Sequence, residues 1–375
     1  MIKARGFWLK RGKDKTDFVL VALVIFVVAF GVLMVHSASC AGAEITYGDA
    51  FFFTKKQIIG AIVGLWGLIV FSLINYNALQ KLKWPIIIVS LVLLGLVFLP
   101  GIGVENYGAK RWLSLGFTTI QPSEIAKFSF IIFAASTLAK NYNKVKTFLG
   151  ILPVAILGAI ICALIIVEPN MSITMCVGLT TIVMLVVGGV SLKHFLLFFI
   201  PALALVPLLI IVEPYRMQRF MAFLNPWKNP HGEGFQLVQS LYSLGGGGLF
   251  GRGIGASRQK YLFLPFAESD FIFSIIGEEL GFVGCLCLII LYALIIWRII
   301  KIALSARDRF GCFLSAGIAS ILAIQVIINI AVVSGSIPPT GLPLPFISAG
   351  STSLVVFMSA IGVVLNISKQ SKSRV

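Results

Sequence analysis

FVLVALVIFVVAFGVLMVHSA, residues 18–38, runs without a single charged side chain. At 1.5 Å per residue a helix of this length covers the roughly 30 Å hydrocarbon core of a bilayer. Working outward, nine further apolar stretches of comparable length follow, at 57–75, 84–100, 123–139, 147–167, 171–190, 194–213, 271–297, 311–334 and 350–367. The chain is 58% hydrophobic and 12% charged, with a mean hydropathy of +1.01. Soluble domains carry about 25% charged residues, so a water-facing surface is excluded, and with it a soluble enzyme, a disulfide scaffold and a disordered chain. The sequence predicts an all-α polytopic membrane protein of about ten transmembrane helices. Residues 1–375 form one integral membrane domain, with a basic tail at 1–17, a long loop at 214–270 between spans seven and eight, and a second tail at 368–375.

The formal charge is +16, from 30 Lys and Arg against 14 Asp and Glu. In a soluble protein such an excess points to nucleic acid, but in a membrane protein it sorts by side, because short cytoplasmic loops are enriched in Lys and Arg. Six basic residues precede span one. Placing that end inside puts nineteen basic residues there, from Lys3 through Lys81, Lys83, Lys140 and Lys301 to Arg374, and ten outside, six of these in the one long loop. Both termini are therefore expected in the cytoplasm. The first apolar run is span-length and lacks a small-residue cleavage site, so no cleavable signal is expected.

The six cysteines are scattered and form no disulfide or metal pattern, and His36, His194 and His231 show no ligand spacing. The acids are more telling. Only Asp14, Asp17 and Asp308 fall on the cytoplasmic side, whereas the other eleven, among them Glu105, Glu124, Glu168, Glu268, Asp270, Glu278 and Glu279, fall outside or in the outer half. Any chemistry faces outward.

Two outer segments stand out. GIGVENYGAKRWLSLGFTTIQP, 101–122, runs straight into span four. The loop 214–270 is too long for a simple connection and too apolar for disorder. Within it FQLVQSLYSL, 235–244, spaces its apolar residues as an amphipathic interfacial helix does, and PYRMQRFMAFLNPW, 214–227, reads as a second interfacial element carrying Arg216 and Arg219. In GGGGLFGRGIGAS, 245–257, Gly251, Gly253 and Ala256 satisfy G-x-G-x-x-A, yet no strand precedes them and the segment faces away from nucleotides, so a flexible hinge is expected instead. The outer loop SGSIPPTGLPLPFISAGSTS, 334–353, holds four prolines and cannot be helical throughout. Its apolar character favours a re-entrant, cavity-shaping segment.

Span four carries Glu124 and Lys127, three residues apart on one helix face. Intramembrane charges face the bundle interior and mark function by default. A structural ion pair is the plainer alternative, whereas an anion site would be enlarged by Lys110 and Arg111 just upstream. Asp270 opens span eight in FAESDFIFSIIGEELG. Ser and Asp before an apolar run are ordinary helix caps, while Asp270, Ser274, Gly277, Glu278 and Gly281 also line one face as a polar track. The residues alone leave cap and catalyst level.

Three segments together resemble one family. YGAKRWLSLGFTTIQPSEIAK (107–127), PYRMQRFMAFLNPW with the stretch from GEGFQLVQSLYSLGGGG to SDFIFSIIGEELG, and TGLPLPFISAGSTS (340–353) are similar, in order and over nearly the whole chain, to the SEDS family (shape, elongation, division and sporulation) of polytopic peptidoglycan glycosyltransferases. FLNPW and GEELG resemble its division and sporulation branch (FtsW, SpoVE) rather than its elongation branch. The resemblance implies that Asp270 is the catalytic acid or base. It implies substrate-binding roles for Arg111, Glu124 and Lys127, for Arg216 and Arg219 of R-x-x-R, and for Gln239 and Ser240 of Q-S-L. Lys260 joins them as a candidate for the positive charge that a pyrophosphate leaving group requires. Departures from the family pattern fall at Asn170, Phe266 and Ala349.

What the resemblance implies is polymerisation of lipid II at the outer face of a bacterial cytoplasmic membrane, with Asp270 as general base and undecaprenyl pyrophosphate leaving. No cofactor is implied beyond a divalent cation, Mg or Mn, which the residues leave open. The loop 214–270 is the longest extramembrane segment and leaves no room for a soluble transpeptidase, so the expected partner is a class B penicillin-binding protein, with other division or sporulation membrane proteins. A lipid II flippase and a noncatalytic division scaffold are the alternatives. The nearly charge-free inner halves of the spans disfavour the first, and the second predicts tolerance of changes at Asp270.

Overall fold

The computed structural model describes residues 16–371 apart from 107, 108, 115, 117 and 118. The basic residues of the tail up to Lys15, with Asp14, and Lys372 and Arg374 at the other end therefore lie outside the described residues. Ten helices fall on the ten expected stretches. In chain order the helices are α1 (Phe18–Tyr47), α2 (Phe52–Leu73), α3 (Asn77–Lys81), α4 (Lys83–Leu96), α5 (Pro122–Lys140), α6 (Phe148–Val167), α7 (Met171–Gly188), α8 (Leu192–Val212), α9 (Pro214–Leu224), α10 (Phe235–Gly247), α11 (Ile272–Ser305), α12 (Arg309–Val333) and α13 (Ser351–Lys369). Eight of them are long and apolar enough to cross a membrane by length and composition: α1, α2, α6, α7, α8, α11, α12 and α13. The other two of the ten depart for different reasons. α4 is apolar but has only 14 residues, whereas α5 is diluted by Glu124, Lys127 and four hydroxyl side chains.

That dilution fits where α5 sits. It is buried along nearly its whole length, between α4, α6, α7 and α12, so its polar groups meet protein rather than lipid. Apolar helices gain little by leaving lipid for one another, and close backbone approach takes over as the packing force. α2 and α13 illustrate this. Gly60 and Gly64 of α2, one turn apart, lie so close to Ser351 and Met358 that a Cβ on Gly64 would come within 2.5 Å of the Met358 sulfur. Three helix starts among the described residues are capped by side chains of the usual kind: Asp17 Oδ1 accepts from Leu20 N at 3.0 Å, Asn170 Oδ1 from Ile173 N at 3.3 Å, and Asp308 Oδ1 from Gly311 N at 2.7 Å.

The structure adds a sheet that the all-α reading did not anticipate. Strands β1 (Gly103–Asn106), β2 (Ala109–Ser114) and β3 (Thr119–Ile120) form an antiparallel meander in sequence order, with a bulge between Val104 and Glu105. It stands immediately before α5 and holds Arg111 on its central strand.

The segment around 235–257 also differs from expectation. α10 is a helix, as its spacing predicted, but it is docked on α11 rather than only lying in the interface. Leu237, Val238, Ser240 and Ser243 are buried, and the Gly247 backbone lies against Gly277. The glycine run after it is no free hinge. α11 is broken at Gly281 (φ 67°, ψ −167°), and the chain at 248–253 pairs with that break: Arg252 N and Gly253 N donate to Glu278 O and Glu279 O, and Phe282 N and Val283 N to Gly248 O and Leu249 O, all at 2.9–3.0 Å. The unpaired backbone of a broken helix must find partners, and the glycine-rich segment supplies them.

The loop 334–350 does enter the bundle. Leu342, Leu344, Phe346 and Ile347 are buried. Gln57 of α2 donates to Ile347 O at 3.2 Å, and the Tyr292 hydroxyl of α11 to Pro345 O.

Candidate functional site

Asp270 lies in the turn before α11. The residue that caps this helix is Phe271, and it makes no side-chain cap bond. The Asp270 carboxylate is thus not spent on the helix N-terminus, which removes the plainer of its two readings. The hydrogen bond found to this carboxylate comes from the neighbouring Ser269 hydroxyl, at 3.0 Å to Oδ1.

The backbone beneath it is held firmly. Asn329 Nδ2 of α12 donates to Asp270 O at 2.8 Å and to Leu342 O at 2.6 Å. Ser348 Oγ donates to Ser269 O at 2.6 Å, and Ala349 N to Glu268 O at 2.8 Å. Three consecutive carbonyls are therefore engaged by α12 and the re-entrant loop. Gly341 completes the contact. Its φ is +72°, and a Cβ there would stand 3.0 Å from Asp270 Oδ2. Only a glycine lets the loop lie against the carboxylate at this point.

Two arginines act on Asp270 from outer elements. Arg219 of α9 donates to Pro339 O at 3.3 Å, which ties the long loop to the re-entrant one. Arg111 of β2 donates from Nε to Glu168 O at 3.3 Å and from Nη2 to Pro169 O at 2.5 Å. Burial pushes the Asp270 carboxyl above the usual carboxylate range, while the Ser269 hydroxyl and the charges of Arg219 and Arg111 pull it partway back. Glu268 is raised as well, by burial first and also by the neighbouring charge of Asp270. Glu168, just past α6, is fully buried with both carboxyl oxygens lacking a hydrogen-bond partner, and burial pushes it up to about 8 against the opposing charge of Arg111. A half-buried carboxylate of raised proton affinity, set among positive charges, is suited to take a proton while anions are held nearby.

The remaining candidates lie elsewhere. Lys127 Nζ donates to Glu124 Oε1 and to Gln325 Oε1 of α12, both at 2.8 Å, and its side chain is fully enclosed. This pair joins α5 to α12. It reaches the Asp270 region through Gln325, whose Nε2 donates to Pro343 O at 2.9 Å, one turn along α12 from Asn329. Ser240 of α10 bonds Ser274 Oγ at 2.8 Å and Val333 O at 2.7 Å, so it serves helix packing. Lys260 is buried against Glu279 at 3.4 Å, with Gly255 O at 2.6 Å and Ser37 Oγ at 3.3 Å, and its charge is directed inward rather than to the Asp270 face. Gln239 is half-buried on α10, and Arg216 is half-buried on α9 three residues before Arg219. Glu278, expected on the polar track, instead accepts from Ser257 Oγ and from the backbone of Arg258 and Gln259, and pairs with Arg252 at 3.2 Å. Asn170 caps α7, its Oδ1 accepting from Ile173 N, a role that Asn and Asp fill equally well.

Sequence reasoning passed over Gln325 and Asn329. Their signal was present: two amides four residues apart in the otherwise apolar ASILAIQVIINIAVV, on one face of a helix. Among the described residues no three of His, Cys, Asp and Glu come together as a metal ligand set.

Comparison with known proteins finds likeness over nearly the full length. Residues 17–373 match the FtsW/RodA/SpoVE family, described as a cell cycle protein. The chain is 40% identical over 364 residues to stage V sporulation protein E of Bacillus subtilis, covering 96% of this chain and 99% of that one. It is 40% identical over 353 residues to the probable peptidoglycan glycosyltransferase FtsW of Trichlorobacter lovleyi, covering 94% and 93%. Among solved structures it resembles a chain from a study of the structural coordination of polymerization and crosslinking by a peptidoglycan synthase complex, with 30% identity, a TM-score of 0.77 and coverage of 94% and 97%. It also resembles the rod shape determining protein RodA of Thermus thermophilus, with 26% identity, a TM-score of 0.68 and coverage of 96% and 98%. The protein is a bacterial membrane protein, and it belongs to the FtsW/RodA/SpoVE family.

Proposed function

We propose that this chain is a peptidoglycan glycosyltransferase of cell division or sporulation. It polymerises lipid II at the outer face of the cytoplasmic membrane, with ten spans and both termini inside. The observation that carries the reading is the Asp270 carboxylate: half-buried, free of its helix, and lying in the combined field of Arg111 and Arg219.

The acceptor's sugar hydroxyl passes its proton to Asp270 as its oxygen attacks the anomeric carbon of the donor. The new C–O bond forms as the bond from that carbon to the pyrophosphate breaks, with inversion, and the electron pair departs on undecaprenyl pyrophosphate. That leaving group is already anionic and needs positive charge rather than a proton where its charge develops. Arg111 and Arg219 supply it, with Arg216 next on α9. The backbone bonds from Asn329, Ser348 and Ala349 keep Asp270 in place, and a positioned base of this kind typically contributes about 10²–10⁴-fold. A class B penicillin-binding protein would cross-link the strands.

The test is polymerisation of labelled lipid II by the purified protein, alone and with that partner, with products resolved by gel. Glycan strands are expected. Lipid II crossing the bilayer without strand formation would instead place the protein among transporters.

A further inference from the structure

Glu168 closes α6, and its carboxyl is sealed in protein: the residue is fully buried and neither carboxyl oxygen has a hydrogen-bond partner. A carboxyl in that setting takes up a proton, because a buried charge without hydrogen bonds costs more than neutralising it. Where the family pattern has a further carboxylate two residues on, this chain has Asn170, which caps α7. Glu168 is thus the acid of this turn. Its backbone holds a guanidinium: Arg111 donates from Nε to Glu168 O at 3.3 Å and from Nη2 to Pro169 O at 2.5 Å. A group tied to the backbone of Glu168 lies within a side-chain rotation of its carboxyl. The charge of Arg111 acts on Asp270 as well, so one guanidinium is shared by two acids.

The other elements packed against α6 bring no rival charge. On α5, Glu124 and Lys127 pair with one another. α7 brings the buried Cys176 thiol, and α6 itself carries Cys162. Lys83 of α4, Lys140 of α5 and the turn at Tyr142 and Lys144 belong to the opposite end of the bundle. Lys110, beside Arg111 on β2, is exposed.

We propose that Glu168 is a positioning residue for the leaving group: holding a proton, it leaves Arg111 to the pyrophosphate, and on ionising it withdraws Arg111. The inference rests on the polymerase reading above. A neutral Glu168 leaves the guanidinium charge to the anion that develops as the pyrophosphate departs. An ionised Glu168 turns onto Arg111 as a buried pair and cancels that charge. Only a proton moves, from the carboxyl to hydroxide as pH rises and back as it falls. Burial raises this carboxyl to about 8 against the opposing charge of Arg111, so the exchange falls between pH 7 and pH 9. About nine-tenths of the molecules hold the proton at pH 7 and about one-tenth at pH 9.

The probe is farnesyl pyrophosphate, an isoprenoid pyrophosphate without a sugar, titrated calorimetrically into the purified full-length protein in detergent. Its apparent Kd scales inversely with the competent fraction, so the wild type should bind about ten-fold more weakly at pH 9 than at pH 7. Glu168→Gln, which stays neutral, should change by less than about two-fold. Arg111→Gln keeps Glu168 and should bind weakly and equally at both pH values. Infrared difference spectra should show the protonated-carboxyl band vanish over this range in the wild type and no such loss in Glu168→Gln. Strand formation from lipid II, measured on the same samples, should follow the Kd. A wild-type Kd that is level from pH 7 to pH 9 overturns the role of Glu168. So does a ten-fold ratio that persists in Glu168→Gln or in Arg111→Gln, since the titrating group then lies elsewhere. Binding that follows the expected pattern without strands at any pH leaves the role of Glu168 standing and removes the polymerase reading.

Discussion

The Glu124–Lys127 pair offers the sharpest test of how this bundle is held. Both side chains are enclosed, at 2.8 Å from one another, and Lys127 also satisfies Gln325 Oε1. Glu124 Oε2 has no partner of its own, so the lysine is the group that compensates the carboxylate. Replacing Lys127 by Met keeps the volume but leaves Glu124 buried without its counter-charge. Breaking a buried pair from one side costs about 3–5 kcal/mol. Against a typical total of about 5–15 kcal/mol this is a large fraction, and the thermal transition in detergent should fall steeply. Glu124→Leu combined with Lys127→Met removes both charges. An apolar pair of similar volume is often nearly neutral, so the double variant should recover most of the loss, short of about 1–3 kcal/mol for Gln325 Oε1, which is left without its donor. The assay is the double-mutant cycle on unfolding, run beside lipid II polymerisation. If Lys127→Met alone unfolds within about 1 kcal/mol of the wild type, the pair is not the lock described and the reasoning fails. If the double variant recovers both stability and polymerisation, the pair is structural. Stability recovered without polymerisation assigns one of the two to the substrate.

Asn329→Leu should leave the carbonyls of Asp270 and Leu342 unsatisfied, at about 1–3 kcal/mol each, and lower kcat more than it raises KM. Chemical unfolding and steady-state polymerisation read the two effects. Gly341→Ala places a methyl 3.0 Å from Asp270 Oδ2 on a backbone with φ +72°, so the carboxylate must move. Misplacement on the scale of an ångström costs up to about 10²-fold, with stability lowered by only about 1–2 kcal/mol for the strained backbone. Burial raises the Glu168 carboxyl from its ordinary 4.5 to about 8. Unfolding then lets it ionise between those two values, so its protonated, buried form is tolerated below pH 4.5 and costs stability increasingly up to pH 8. At pH 7 the cost is about 3 kcal/mol, and Glu168→Gln should flatten the fall of the thermal transition between pH 5 and pH 8. A wild type and variant with parallel pH profiles would contradict this.

Much of the architecture can be read from hydropathy because lipid imposes one simple demand: backbone groups must be bonded within the segment. The span positions follow from that. α5 departs from the pattern because its Lys127, besides pairing locally with Glu124, is answered by Gln325 on a helix far along the chain, a compensation no local window contains. The glycines at 245–257 read as a hinge because their partner, the break at Gly281, lies in another segment and is itself only a glycine in GEELG. The sheet at 103–120 is short and rests on cross-strand pairing, which hydropathy does not register. Asp270 was legible as a residue but not as one free of its helix. A capping and a non-capping carboxylate look alike in sequence, and it is the helix start at Phe271, without a side-chain cap bond, and the approach of Gly341 that separate them. Lys260 and Ser240 show the opposite case: polar residues in a matching motif that the fold turns inward to Glu279 and Ser274.

The central claim is that Asp270 takes the proton in strand polymerisation, and Asp270→Asn tests it most directly. Asn keeps the shape and the backbone bonds to Asn329, Ser348 and Ala349 but cannot accept that proton as a carboxylate does. The purified variant, with its thermal transition verified against the wild type, should form glycan strands from labelled lipid II at least about 10²-fold more slowly. A correctly folded Asp270→Asn protein that polymerises at the wild-type rate would contradict the account.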